Sequence, residues 1–354
     1  MTALRTDDPA LLGRPELVHD FEAALEALAG QSVLVTGAAG SIGRMLARTL
    51  IATPGLRLTL LDHHEHSLFE LQRSLSEVDP CRGRFVLADV RDTARMARVL
   101  RASRPDVIFH LAAYKHVHFG EQFPEETVRV NVVATRELLR LAAEAGVARF
   151  VYPSSDKAVN PPSLYGATKR LSEVLVYAAA RHGHAWAALR YMNVLGTRGS
   201  VLETFAAQLE AGQPLTVTDA AMTRYWISQR EAIWLALQAA QTEAGSLLML
   251  DVREEVPVVE MASRLAGQLG ARGAAYPMVF TGARPGERLR EQVLGPHEHL
   301  APGPVPGVVR VVDERREQHE ARVEALVDEL AALCDAGSAD ELRAATMRAA
   351  HALQ

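Results

Sequence analysis

The run Val33-Leu34-Val35-Thr36-Gly37-Ala38-Ala39-Gly40-Ser41-Ile42-Gly43 constrains the fold more than any other segment. Its unbroken apolar start reads as a strand buried on both faces, the kind found in parallel sheets. Three glycines follow at the spacing of a turn that opens a helix. Gly37 permits the tight turn, Gly40 lets the backbone approach a pyrophosphate, and Gly43 lets the helix pack on the strand. Ala39 to Ser41, with Ile42 and Gly43 in the first helical turn, offer N–H donors and the positive end of a helix dipole. Strand before and helix after raise this turn above a bare glycine trio. Asp62 ends the next apolar run, where a carboxylate accepts hydrogen bonds from an adenosine ribose and repels a 2′-phosphate. Asp89 and Val90 follow the third run, where adenine is expected, and Ala112 closes the fourth. The expected cofactor is NAD. NADP stays open, because Arg44 lies close enough to reach a 2′-phosphate.

The same rhythm continues downstream. Apolar runs at 33–36, 58–61, 85–87, 107–112, 150–152 and 187–191 alternate with helical stretches at 42–50, 68–75, 93–100, 135–145 and 169–181. Such alternation predicts βαβ units and the α/β class, a doubly wound parallel sheet of the Rossmann type. The predicted organisation has four parts. Residues 1–30 form an arm and a helix carrying Phe21, Leu25 and Leu28, closed by Gly30. Residues 31–193 form the dinucleotide-binding domain. Residues 194–300, punctuated by glycine and proline, form a smaller mixed α/β substrate lobe. Residues 301–354 form a helical tail, in which Val323, Leu326, Val327, Leu330 and Leu333 share a face. Gly337 ends that helix, and Ser338 with Glu341 opens the last one through a capping box.

Bulk properties exclude several function classes. The 354 residues are 48% apolar, enough for a large core, and the net charge of −5 comes from well-mixed residues. Neither a nucleic-acid face nor a basic membrane-binding surface is expected. Cys81 and Cys334 make no disulfide framework and suit a reducing compartment. The N-terminus lacks the plan of a signal peptide, and no apolar run approaches about 18 residues. A soluble cytoplasmic protein is expected, with no membrane partner. His63-His64-x-His66 follows the second run, where a ribose should lie, and has no evident partner ligands, so no metal is expected.

Lys and Arg total 38, yet only Lys115, Lys157 and Lys169 are lysines. Arg keeps its proton in proteins, whereas a desolvated Lys can lose it, so lysines that persist in an Arg-rich chain mark titratable work. Ser155, Tyr165 and Lys169 have the spacing of a hydride-transfer triad. Tyr165 must act as a base although a free phenol has a pKa of about 10, and a nearby ammonium favours the phenolate. Lys169, one helical turn on, is expected to supply it, while Ser155 holds the substrate oxygen. Lys115 and His116 are either a structural pair at a strand end or part of a pocket wall.

Seven segments run in order along nearly the whole chain: TGAAGSIG (36–43), HLAAYKHV (110–117), SSDKAVNP (154–161), YGATKR (165–170), NVLGTRGSV (193–201), PLTVTDAAMTRYWIS (214–228) and GARPGERL (282–289). Together they resemble an extended short-chain dehydrogenase/reductase, and within that class the inverting UDP-N-acetylglucosamine 4,6-dehydratases of polysaccharide biosynthesis. The resemblance implies a UDP-sugar substrate, with Asn193, Val194, Arg224, Arg284 and Glu287 at its nucleotide end. It also implies that Asp156-Lys157 is the acid–base pair of dehydration. A neutral Lys157, its pKa lowered by burial, would remove the C5 proton, and a protonated Asp156 would protonate the departing C6 hydroxyl. Related enzymes pair through helices equivalent to 125–145 and 169–181, so a homo-oligomer is implied. The arm LLGRPE resembles the linker of longer, membrane-attached relatives. Three departures are visible: Ser155 stands where the group has Thr, HFGEQFP (118–124) replaces a Pro-Leu pair, and Tyr152-Pro153 precedes SSDK. The last two are expected to border the sugar pocket. A UDP-sugar 4-epimerase working through the same 4-keto intermediate, and a non-enzymatic nucleotide-sugar or dinucleotide sensor, are the competing readings.

Overall fold

The computed structural model describes residues 4–76, 83–181, 183–269, 276–283 and 286–354. The six apolar runs all form strands: β1 (Ser32–Thr36), β2 (Arg57–Asp62), β3 (Gly83–Leu87), β4 (Val107–His110), β5 (Arg149–Ser155) and β6 (Ala185–Tyr191). They lie parallel in the order β3-β2-β1-β4-β5-β6. Every residue of β1 and β4 is buried, because helices cover both faces of the sheet. The order reverses between β1 and β4, so the connections leave on opposite faces there. A crevice opens at the carboxyl ends of these strands.

Leu247–Leu250 extends the sheet in parallel beside β6. Beyond it, the antiparallel hairpin Glu298–Pro302 and Val308–Asp313 completes nine strands. This hairpin differs from the helical tail expected from residue 301 onward. Its turn falls at 303–307, and Val308 and Val309 after it pair with Leu250 and Met249.

The helix expected to start at Lys169 begins at Leu164, because Ser163 Oγ accepts the Gly166 N–H at 3.3 Å. Nearly all of the helix Leu164–Ala180 is buried. The helices Arg316–Ala336 and Ala339–His351 pack against it. Val323, Val327 and Leu330 point inward as their spacing predicts, the Gly337 N–H closes the turn on Leu333 O at 2.8 Å, and the Ser338–Glu341 capping box forms. The long helix also pairs with the preceding elements, Arg136 with Asp328 at 2.6 Å and Arg129 with Asp335 at 2.8 Å. The C-terminal helices thus cover part of the face expected to meet a second copy, along Leu164–Ala180 and around Arg129, while Arg140 and Glu144 on the neighbouring helix stay exposed.

The smaller lobe holds three two-stranded ladders: Asn193–Val194 with Trp226–Ile227, Thr223–Arg224 with Val256–Pro257, and Leu215–Val217 with Met278–Phe280. They share a second apolar core with Phe205, Met261 and Leu265. Leu11 and Leu12 insert into it, and Arg14 pairs with buried Glu231 at 2.6 Å, so the N-terminal arm is docked. Among the described residues, no helix is long and apolar enough to cross a membrane.

Candidate active site

A cleft of about 1120 Å³ lies between the carboxyl ends of the strands and the smaller lobe. At one end lie Gly37, Ala39, Gly40, Ser41, Ile42 and Gly43, with Asp62, Asp89, Val90 and Ala112 beside them. Gly37 has φ +67°, and a Cβ on it would stand 2.6 Å from the Ala112 nitrogen. A Cβ on Gly43 would collide with the Gly37 carbonyl oxygen. The bare backbone here is a geometric necessity, and it leaves the helix Ser41–Ile51 opening directly on the cleft. Asp62 accepts N–H bonds from Ala39 at 2.9 Å and His64 at 3.0 Å, which fixes its carboxylate at the rim. These features fit the diphosphate and ribose of a dinucleotide. Arg44 is turned away: its guanidinium donates to Ala39 O, Ser67 O and Glu70.

Ser155, Lys157, Tyr165 and Lys169 line the middle of the cleft. β5 delivers Ser155, the turn after it holds Asp156 and Lys157, and the first turns of the helix Leu164–Ala180 present Tyr165 and Lys169. Gly166 lets this helix sit on the Lys157 carbonyl oxygen, which a side chain would overlap. Asp156 is 2% exposed and lies behind the wall. Its Oδ1 accepts from Ser155 Oγ at 2.8 Å and from Lys157 Nζ at 3.0 Å, while its buried Oδ2 has no hydrogen-bond partner.

The charge states differ from those expected. Burial works to lower the pKa of Lys157, but the carboxylates of Asp156 and Glu291 outweigh it and hold the ammonium above its ordinary range. The lysine that burial depresses is Lys169, pushed down to about 7 against the pull of Glu173. Lys169 Nζ donates to Pro153 O at 2.8 Å and lies 4.6 Å from the Tyr152 ring centroid. The cation acting on Tyr165 is instead Lys157. Burial raises the phenol, Lys157 and a hydrogen bond with Ser155 pull it back, and the balance stays above the ordinary phenol value.

At the other end, Lys115, His116, Asn193, Val194, Arg224 and Glu287 line the cleft. Lys115 Nζ donates to Arg198 O at 2.6 Å, and the His116 ring packs on Gly199, so this pair both faces the cleft and braces its far wall. Burial lowers the pKa of each. Asn193 Nδ2 donates to Tyr225 O at 3.1 Å. Arg284 lies outside the described residues. Of the two departures expected at the sugar pocket, only Pro153 lines the cleft. Tyr152 is buried beneath Lys169, and no residue of 118–124 lines the cleft, although Gly120 sits behind Tyr165 and Glu121 accepts the Leu164 N–H at 2.7 Å.

Two residues escaped the sequence reading. Arg198 Nη2 donates to Ala39 O at 2.7 Å and its backbone N–H to Ser41 Oγ at 3.0 Å, tying the lobe to the phosphate turn. It sits inside NVLGTRGSV, so its signal was present but was carried only to Asn193 and Val194. Glu291, 3.3 Å from Lys157 Nζ, follows the GARPGERL segment and has no spacing that separates it from other acidic residues.

The family described as "Polysaccharide biosynthesis protein" matches residues 33–312. The probable polysaccharide biosynthesis protein EpsC of Bacillus subtilis is 38% identical over 81% of this chain, and the chain spans 49% of that relative's length. The inverting UDP-N-acetylglucosamine 4,6-dehydratase of Campylobacter jejuni is 31% identical over 75% of this chain and 77% of its own. UDP-glucose 4-epimerases of Rickettsia also match, at 26% to 27% identity. Among solved structures, DesIV, a dTDP-glucose 4,6-dehydratase from Streptomyces venezuelae with NAD and TYD bound, is 28% identical. It superposes with a TM-score of 0.65 over 74% of this chain and 88% of its own. Motifs, sheet order and family match agree, and the chain belongs to the polysaccharide biosynthesis family of extended short-chain dehydrogenases/reductases.

Proposed function

We propose that this chain is a nucleotide-sugar 4,6-dehydratase. In this reading it acts on a UDP-hexose, with UDP-N-acetylglucosamine as the expected substrate, and inverts C5. The observation that carries the proposal is the Asp156–Lys157 pair, joined at 3.0 Å and touching Ser155 beside Tyr165. A 4-epimerase exchanges hydride and proton at C4 alone and has no task for a second acid–base pair, and a sensor has none for either set.

A nicotinamide dinucleotide on the 37–43 turn would supply an acceptor for the C4 hydride and return that hydride to C6. The engagement of Arg44 with Glu70, together with the Asp62 carboxylate at the rim, supports NAD over NADP. Tyr165, brought to phenolate by the adjacent Lys157 ammonium and the positive charge an oxidised nicotinamide would add, takes the C4 hydroxyl proton, and the resulting 4-ketone acidifies C5–H. Removing that proton requires an uncharged amine, whereas Lys157 in the open cleft holds its proton. A shift of that proton to Asp156 Oδ1 turns an ion pair into an amine and a carboxylic acid at constant net charge. Substrate that displaces water from the cleft favours this neutral form. Lys157 then accepts the C5 proton. Asp156 passes its proton through the Ser155 hydroxyl to the C6 oxygen, which leaves as water; this restores the charged Asp156–Lys157 pair. As hydride reaches C6, C5 takes a proton from solvent on the face opposite Lys157, which inverts that centre, and Tyr165 gives its proton back to solvent. Asn193, Val194, Arg224 and Glu287, with Arg284, are assigned to the nucleotide end, and Lys115 and His116 to the sugar.

The 4-epimerase relatives favour a second reading, the same C4 chemistry without loss of water. Mass spectrometry of the product from UDP-N-acetylglucosamine and NAD separates the two. A product lighter by one water is expected; an isomer of unchanged mass would overturn the proposal.

A further inference from the structure

The Glu291 side chain is 4% exposed, and its Oε1 lies 3.3 Å from Lys157 Nζ and 3.4 Å from Arg224 Nε. Asp156, Lys157, Glu291 and Arg224 thus form a row of alternating charge running from the catalytic turn into the smaller lobe. The far end of the row is fixed, because the Arg224 Nη atoms donate to the carbonyls of Thr223, Arg288 and Leu289. The segment carrying Glu291 is tied to the catalytic turn as well. Arg288 Nη1 donates to Val159 O at 3.1 Å, and Asn160 Nδ2 donates to Gln292 Oε1 at 2.9 Å. A buried carboxylate is costly unless cations surround it, and here two do. With both ends anchored, Glu291 cannot swing away from Lys157 without breaking contacts of the lobe.

We infer that Glu291 is a positioning residue for Lys157: it sets how readily that amine parts with its proton, and so how the Asp156–Lys157 pair divides between charged and neutral forms. The groups facing Lys157 Nζ are Asp156 from its own turn, Tyr165 from the helix Leu164–Ala180 and Glu291 from the lobe, with Arg224 behind Glu291. Of these two carboxylates, Glu291 is the one outside the acid–base pair. Its removal leaves Asp156 alone to hold the ammonium, and transfer within the pair becomes easier. The catalytic consequence rests on the dehydratase reading. The electrostatic effect on Lys157 does not.

Because the chain has three lysines, competitive amine labelling read by peptide mass spectrometry follows Lys157 separately across pH, with Lys115 as internal control and no turnover required. In the wild type, Lys157 labelling should rise only above the pH of an ordinary lysine. In Glu291→Gln the rise should move down by about one pH unit or more. Glu291→Asp, which draws the carboxylate back by one methylene, should move it the same way by less. The pH profile of kcat should follow the labelling, with dinucleotide affinity unchanged. Lys157 titrating as in wild type in folded Glu291→Gln and Glu291→Asp would overturn the inference, even if both variants melt earlier. Wild-type protein that yields no dehydrated product would defeat the dehydratase reading while leaving the labelling result standing, so the two failures are distinguishable.

Discussion

Gly43 shows how far a single residue can be pushed. An added Cβ meets the Gly37 carbonyl oxygen and stands 2.7 Å from the Ala38 oxygen, both backbone atoms that cannot move without opening the turn. Gly43→Ala is expected to cost about 1–3 kcal/mol of stability and to weaken dinucleotide binding at least about tenfold, the factor equal to 1.4 kcal/mol. Calorimetric titration with NAD checks this, and wild-type affinity in the variant would contradict it. This glycine was legible because its spacing from a buried strand leaves little else for it to do. The lysines were legible because they are rare. Their protonation was not: Lys157 owes its charge partly to Glu291, a partner remote in sequence, and Lys169 owes its depressed value to burial against β5. Only the folded chain brings those environments together.

At the scale of elements, the helix Leu164–Ala180, β6, the C-terminal hairpin and the long helix after it meet in a buried ionic network. Arg190 pairs with Glu173 at 2.9 Å and Glu298 at 2.6 Å, Arg170 with Asp313 at 2.8 Å, and His319 with Asp313 at 2.9 Å. Burial alone would raise the pKa of Glu298, but Arg190 and Arg170 outweigh it and hold the carboxyl at about 2. A depressed carboxylate contributes stability that is present above its unfolded value and lost as pH falls through its folded value. Thermal stability should therefore decline between pH 4.5 and about 2 as Glu298 takes up its proton. Glu298→Gln removes one carboxylate from two buried guanidinium groups that keep Glu173 and Asp313, and should cost about 1–3 kcal/mol at pH 7, with a flatter decline in acid. Thermal denaturation across pH checks both, and parallel curves for the two proteins would contradict the assignment. The six parallel strands were readable as apolar runs. The hairpin was not, because Ala301 to Gly307 reads as a linker until Leu247–Leu250 offers its valines an edge to pair with. The helical candidate starts at Lys169, although the one-turn spacing of Tyr165 and Lys169 already implies an earlier start, which the Ser163 cap sets at Leu164.

In the whole molecule, the doubly wound sheet and the cleft at its reversal point follow from the alternation of runs and the glycine turn. The packing of the C-terminal helices does not, because an apolar stripe such as Val323, Val327 and Leu330 says that a face is buried without saying against what. In this chain it lies against the helix Leu164–Ala180 and the elements around Arg129. The cleft, the lobe and the acid–base pair act together only in turnover, and one measurement tests them jointly: proton NMR of UDP-N-acetylglucosamine incubated with NAD and protein in deuterated water. The wild type is expected to give a 4-keto-6-deoxy product carrying deuterium at C5 with inverted coupling there. Lys157→Ala is expected to bind NAD as tightly and give no dehydrated product. Dehydration at the wild-type rate in Lys157→Ala, or a product that keeps its C5 hydrogen, would contradict the assignment of the Asp156–Lys157 pair.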